Sequence, residues 1–338
     1  MQQAILCVAP GRILLARRTT LLVLVWLLAA CGQAYLEPQA SSRHVELDMQ
    51  AELAAAGGVA TIWLPVPVSE EWQELGPLRP RARGGPIVER YDEIGNRMIS
   101  VTGTAPLAIS YKVTVRRYRV VPATESFESG SLPTTSRWAE AARLAPTRPL
   151  HREALLATGR EPTVLGKARI LYGRVLDELA FSAPGGAGRN DKGWGKGDLA
   201  WIRRTKSGNA IDFHALFIAY CQSLGIPAAL ELGPTLPPTR SRDWCDVTEP
   251  HAWCRFFVPG MRWQPVDLYE AKQHAKRRTF CFGGLTEDRV RLSIGRDLYL
   301  LPAQGAGPLN VFDRPYAERA GKDVSGELRW RLRFRDLD

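Results

Sequence analysis

The sequence predicts an α+β protein: an N-terminal β-sandwich followed by a domain in which a central helix packs on an antiparallel sheet. Three observations carry this prediction. Over residues 43–121, short stretches alternate apolar and polar side chains and are separated by turns, with no helical stretch between them. Near residue 210 the period changes: Phe213, Phe217, Tyr220, Cys221 and Leu224 fall at helical spacing with one buried face. After that helix the strand-like pattern returns, with His251–Val258 and Met261–Asp267 joined by a Pro259-Gly260 turn.

Taken in order, the chain opens with Arg17-Arg18 and an apolar run, Leu21–Ala30. That run is too short for an ordinary spanning helix and suits the apolar region of an export signal, so residues 1–30 read as a signal peptide. Leu28-Ala29-Ala30-Cys31 resembles the lipobox of bacterial lipoproteins. The resemblance implies cleavage before Cys31, lipidation of its thiol and anchoring to a bacterial membrane, facing the periplasm or the cell surface. Gly32 follows the cysteine, so an inner-membrane retention signal is not evident. Residues 31–42 would be the tether. Cys221, Cys245, Cys254 and Cys281 would then sit in an oxidising compartment, where four cysteines allow three complete pairings.

The sandwich is expected over 43–121. Val45, Leu47, Met49, Ala51 and Leu53 make one half-buried strand, Gly57-Gly58 turns the chain, and Val59–Leu64 makes a second, ended by Pro65 and Pro67. Ile87–Tyr91 and Arg97–Val101 flank a hairpin turn, and Leu107, Ile109, Tyr111, Val113 and Val115 alternate again. Trp63 and Trp72 read as packing residues. Residues 122–161, rich in Pro, Ser, Thr and Ala, read as a linker with one short helix near Trp138–Leu144.

The second domain is expected over 162–338, with a C-terminal β extension. Val164, Ala168, Leu171, Val175 and Leu179 fit a helix with Pro162 near its first turn. The glycine-rich segment Pro184–Gly197 leads through Trp194 to a short stretch, Leu199–Thr205. Asn209 is a favoured N-cap for the central helix, Gly225 sits where a C′ glycine belongs, and Pro227 lies just beyond. Pro227–Leu232 reads as a strand, 233–249 as a charged loop, and 268–294 as loops with one strand. In the tail, Leu328, Trp330, Leu332 and Phe334 alternate with Arg329, Arg331, Arg333 and Arg335. That pattern suits an edge strand guarded by charge, or a surface facing anions.

Composition sets bounds on function. At 338 residues and 45% apolar, the chain is long enough for about two domains with a sizeable core. Its formal net charge of +10 permits contact with anionic surfaces. No basic cluster is interleaved with aromatics in a nucleic-acid motif, so no nucleic-acid partner is expected.

The chemistry centres on the start of the central helix. A thiol placed there is activated, because the helix dipole and free N–H groups stabilise a thiolate and the charge that develops after attack. Here the position holds Ala210. Downstream come a strand-borne histidine, His251, and an aspartate at the end of the next strand, Asp267. This order, with Trp194-Gly195-Lys196-Gly197-Asp198, Gly208–Phe217, Gly225-Ile226-Pro227, His251-Ala252-Trp253 and Trp263–Asp267, resembles the transglutaminase-like superfamily of papain-like fold. Trp63–Pro67, Phe282–Leu285, Gly295–Leu298 and Pro315–Glu318 resemble its exported bacterial branch.

The resemblance implies acyl transfer from a glutamine-type amide, or peptide-bond hydrolysis, with no cofactor. A cysteine attacks, a histidine moves protons and an aspartate fixes its ring. By position His251 is the base, Asp267 its orienter, Trp194 or Trp201 the oxyanion helper, and Ala210 the place of the nucleophile. An alanine methyl attacks nothing. Cys221 shares the helical face of Ala210 but lies about 16 Å along the axis. Cys254 points to the face of its strand opposite His251. Cys245, Cys281 and Ser207 lack the geometry of the helix start. His214, at i+4 from Ala210, reads as a hydrogen-bonding histidine and not, with His251 and Asp212, as a metal site; no metal is expected. Asp212 suits the helix dipole. The expectation is a membrane-anchored pseudoenzyme that binds a peptide or protein partner in its cleft. The alternatives are an acyltransferase or protease with another nucleophile, and a structural surface lipoprotein.

Overall fold

Period-two alternation becomes strands β1 (Ser42–Leu53), β2 (Val59–Val66), β3 (Gln73–Leu75), β4 (Arg79–Arg83), β5 (Ile87–Tyr91), β6 (Arg97–Thr104) and β7 (Leu107–Tyr118). Then follow α1 (Arg148–Thr158), α2 (Val164–Glu178), β8 (Ala180–Phe181), α3 (Leu199–Thr205), β9 (Ser207–Gly208), α4 (Ala210–Ser223) and β10 (Ala228–Pro234). The chain continues through β11 (Cys245–Asp246), β12 (Pro250–Val258), β13 (Arg262–Val266), α5 (Leu268–Gln273) and β14 (Ser293–Ile294). It ends with β15 (Tyr316–Arg319), β16 (Lys322–Asp323) and β17 (Arg329–Asp336). The computed structural model describes residues 41–54, 57–123, 148–182, 193–247 and 250–338. The expected signal peptide, Cys31, most of the tether, the helix at Trp138–Leu144 and most of the loop Pro184–Gly197 lie outside those residues.

Among the described residues, one sheet runs β11-β17-β1-β7, with β3 and β4 both pairing β7, and a second runs β16-β15-β2-β6-β5. Val45, Leu47 and Met49 of the first face Ile62, Leu64 and Val101 of the second across a common apolar core. The sandwich is not built from 43–121 alone. β15 pairs β2, and β17 pairs β1 from Val45↔Asp336 to Glu52↔Arg329. The tail strand therefore belongs to the sandwich, lying between β1 and the short β11. The reason is its alternation: Leu332 and Phe334 complete the sandwich core, while Arg333 and Arg335 pair with Asp48 and Glu46 on the outer face.

The second half packs α4 on the antiparallel sheet β13-β12-β10-β14. Every residue of α4 from Asp212 to Cys221 is buried. α2 begins two residues after Pro162, with the hydroxyl of the N-cap Thr163 accepting from the Gly166 amide. The stretch expected as a linker holds a helix: Leu150 and Ala154, one turn apart in α1, are buried in the same core as α4. α5 is also unforeseen. It is six residues long, too short for a visible period, and Asp267 caps it by accepting from the Glu270 amide at 2.9 Å.

A buried polar cluster fixes the two halves in register. Glu70 and Arg117 of the sandwich pair at 2.9 Å, and Arg255 of β12 reaches Glu70 at 3.1 Å and Glu231 of β10 at 3.3 Å. Gln73 exchanges hydrogen bonds with the backbone of Arg291 at 2.9 and 3.0 Å. No helix among the described residues is long and apolar enough to cross a membrane.

Candidate active site

Two helix starts build the site. At α4 the Asn209 side chain accepts from the Ile211 and Asp212 amides, and the Asp212 carboxylate accepts in return from the Asn209 amide at 3.1 Å. This is a reciprocal cap that satisfies orphan helix donors. The same carboxylate accepts from the amides of Gly195 at 2.9 Å and Gly197 at 2.8 Å. The glycine-rich turn is thereby laid onto the helix start. Gly197 has φ +63°, and a Cβ there would meet Ala215 at 2.8 Å, so this contact needs glycine. Burial pushes the Asp212 carboxyl upward, against the opposing pull of these amides and of Arg296.

Ala210 is the first residue of α4 and only partly buried. One turn on, His214 is wholly buried and uses both ring nitrogens on backbone: Nδ1 donates to the Ala210 carbonyl at 2.5 Å, and Nε2 accepts from the Leu268 amide at 3.0 Å. Burial lowers its pKa to about 4, which keeps it neutral and fits this tautomer. His214 is thus a strut joining the two helix starts, with no lone pair left for a metal.

At α5, Asp267 is buried and its Oδ2 accepts from His251 Nε2 at 2.8 Å and from Arg289 at 2.9 Å. Burial alone would raise its pKa, but His251 and Arg289 hold it far below the usual carboxylate range. His251 and Asp267 are therefore brought together as the sequence order implies. With Nε2 turned to Asp267, Nδ1 is the ring nitrogen left for proton transfer. The His251 side chain is 14% exposed, stacked 6.3 Å from Trp253 and meeting the edge of Tyr269 at 5.6 Å. Trp253 is held by Glu231, which accepts from its indole at 2.6 Å. Phe181, exposed, meets Tyr269 at 5.3 Å and extends the aromatic rim outward.

Sequence reasoning missed Arg289. It donates to Asp267, to Glu270 at 3.3 Å and to the Thr235 hydroxyl at 2.7 Å, and it is 5% exposed. Arg289 and Arg291 are both buried, and nothing in the run Arg289-Val290-Arg291-Leu292 says which of them meets Asp267. The two oxyanion candidates separate. Trp201 is 2% exposed and packed in the core, whereas Trp194 is partly buried beside the glycine turn and donates its indole N–H to Ser182 at 2.9 Å.

The sequence model of the transglutaminase-like superfamily matches residues 153–268, a span that holds Ala210, His251 and Asp267. The chain carries a transglutaminase-like domain. It is 24% identical over 197 residues to an uncharacterized protein of Haemophilus influenzae, a match covering 49% of this chain and 52% of the relative. The chain thus spans about half the length of that curated relative. Its fold is similar to the crystal structure of a candidate cysteine protease from Cytophaga hutchinsonii, with a TM-score of 0.53, 15% identity, and 88% of this chain and 92% of the other covered.

Within the transglutaminase-like domain and the sandwich, none of the other candidate nucleophiles stands at the α4 start. Among the described residues Cys221, Cys245, Cys254 and Cys281 are free thiols. Cys221 and Cys254 lie in the apolar core, where burial pushes both thiols far up. Cys281 lies close to Asp267, its carbonyl accepting from the Asp267 amide at 2.9 Å, but burial pushes its thiol up to about 12. Cys245 belongs to β11 on the sandwich sheet. Ser207 pairs with Ala180 in the parallel bridge β8–β9, and no hydrogen bond joins it to His251 among the described residues. The arrangement can orient an imidazole and exchange a proton. It offers nothing at Ala210 to attack a carbonyl.

Proposed function

We propose that this protein is a membrane-anchored pseudoenzyme: its transglutaminase-like domain keeps the cleft and its proton-handling pair, and binds a peptide or protein without turning it over. The observation that carries the reading is Ala210, the first residue of α4, tied through His214 to the start of α5 beside an intact His251–Asp267 pair. The buried, protonated state of Cys221, Cys254 and Cys281 supports it further. The aromatic rim of Phe181 and Tyr269 beside His251 suits a peptide side chain. The lipobox-like Leu28–Cys31 supports anchoring.

The test is an assay of the full chain for amide hydrolysis and amine incorporation on peptide substrates. The expected result is no turnover above that of the His251→Ala variant. Turnover that His251→Ala abolishes would overturn the reading and establish another nucleophile. Anchoring is tested apart from this: Cys31→Ser is expected to move the protein out of the membrane fraction, and its retention there would reject the lipid anchor.

A further inference from the structure

The register of the first sandwich sheet sets a field of cations on its outer face. Every second residue of β17 from Arg329 to Arg335 is an arginine, and Leu332 and Phe334 between them point into the core, so all four arginines stand outside. Pairing aligns with them every second residue of β4 from Arg79 to Arg83, again arginine, and Lys112 and Arg116 of β7. The strands of this sheet thus bring nine basic side chains to the face. Against them stand five carboxylates: Glu46, Asp48 and Glu52 of β1, Glu74 of β3 and Asp246 of β11. The field is two-dimensional. Arg329 to Arg335 covers about 20 Å along β17, and three strand spacings, about 14 Å, separate β17 from β4.

At the solvent boundary the balance is more one-sided than that count. Glu46 and Asp48 are 6% and 1% exposed, held by Arg335 at 2.6 Å and Arg333 at 2.8 Å, whose own side chains remain partly exposed. Further along β1, Gln50 stands where an acid would continue the alternation, so Arg331 meets only an amide oxygen at 3.1 Å. Arg83 takes Glu52 at 2.8 Å. Arg79, Arg81 and Arg329 are exposed and have no ion partner among the described residues.

We infer that this face is the surface on which the anchored protein lies against an anionic phospholipid bilayer. Lipid phosphates are spread in two dimensions, as these cations are, whereas a linear polyanion engages one row of them. The chain itself names the occupant. β1, at the centre of the face, is the strand that the tether enters, and ten residues separate Cys31 from Ser41, at most about 36 Å when fully extended. A lipidated Cys31 therefore keeps the face at high effective concentration over the headgroups. Each lysine or arginine close to an anionic leaflet adds to the attraction. The choice of a bilayer rests on the proposed anchor; the cationic field does not.

The experiment uses the chain from residue 31 onward with Cys31 left unacylated. It measures co-sedimentation with vesicles of phosphatidylcholine alone and of phosphatidylcholine mixed with phosphatidylglycerol. The expected result is binding to the mixed vesicles only, released by high salt and weakened about tenfold or more in Arg81→Glu/Arg331→Glu. The control Arg90→Glu/Lys322→Glu makes the same change of net charge on β5 and β16 of the other sheet, about 10 Å behind the face, and is expected to bind within about twofold of the native chain. Gln50→Glu, which only continues the acids of β1, is expected to weaken binding in the same direction and keeps the test decisive if the double reversal fails to fold. No binding to the mixed vesicles, equal binding to phosphatidylcholine alone, or an equal loss in the control pair would overturn the inference. Tighter, variant-sensitive binding to polyphosphate or oligouridylate would overturn it too. Failure of the anchor reads differently: an acylated native chain stays on membranes washed in high salt, so its release there would reject lipidation of Cys31 and leave the vesicle result standing.

Discussion

Two buried aspartates stand at the starts of two neighbouring helices and do opposite work. Asp212 accepts from three backbone amides, of Gly195, Gly197 and Asn209. Asp267 accepts from two side chains that can carry charge, His251 and Arg289, and from one amide. Burial therefore pushes Asp212 up, whereas Asp267 is held far down despite burial. The first carboxylate shapes backbone and would do so whatever stood at residue 210. The second concentrates charge around an imidazole, at a desolvation cost that backbone shaping alone does not require. The scaffold of the site and its electrostatics are thus separately built, and both stand beside Ala210.

The comparison makes a ranked set of expectations. The largest is for Asp267→Asn, which leaves the buried Arg289 short of its carboxylate. Urea unfolding should show a loss of roughly 3–5 kcal/mol, the range for breaking a buried ion pair. A loss below about 1 kcal/mol would mean that Glu270 alone compensates Arg289.

Next comes pH. The folded protein keeps His214 neutral down to about pH 4, while the unfolded chain takes up that proton near pH 6.5. Acidification across this window favours unfolding, so stability falls by on the order of 3 kcal/mol from pH 6.5 to 4. Asp267 adds its own loss only at lower pH, because its folded pKa is depressed below the unfolded value. Replacing His214 by Gln should flatten the slope between pH 6.5 and 4 in denaturation curves. An unchanged slope would assign it to another group.

Asp212→Asn should cost less, about 1–2 kcal/mol, because neutral amide donors lose only part of their acceptor. If it proves costlier than Asp267→Asn, the division of labour between the two aspartates fails. The smallest effect is expected of Ala210→Cys, within about 1 kcal/mol of the native chain by thermal or urea unfolding, since the position is only partly buried.

Much of this molecule was legible in its sequence. The switch from period two to period 3.6 at residue 210 announced the two layers, and the Asn209 cap and Gly225 bounded α4 to within two residues. His251 on one strand and Asp267 just past the end of the next placed their pair. What stayed hidden was long-range or local in ways that periodicity does not encode. Alternation in the tail says that Leu332 and Phe334 share a face, not that the face belongs beside β1, almost a whole chain away in sequence. Leu150 and Ala154 are two apolar positions amid linker-like composition, too few to signal α1. Arg289 is indistinguishable in sequence from Arg291, yet only Arg289 bonds to Asp267 among the described contacts. Burial of a charge depends on which carboxylate folds against it.

The central claim is that the α4 start is an emptied nucleophile site still under the influence of His251. The direct measurement is the pH dependence of alkylation of Ala210→Cys, with and without His251→Ala. The account predicts a thiolate that forms well below the ordinary cysteine pKa of about 8.5, returning toward that value when His251 is replaced. A new thiol that titrates near 8.5 in both backgrounds would contradict it.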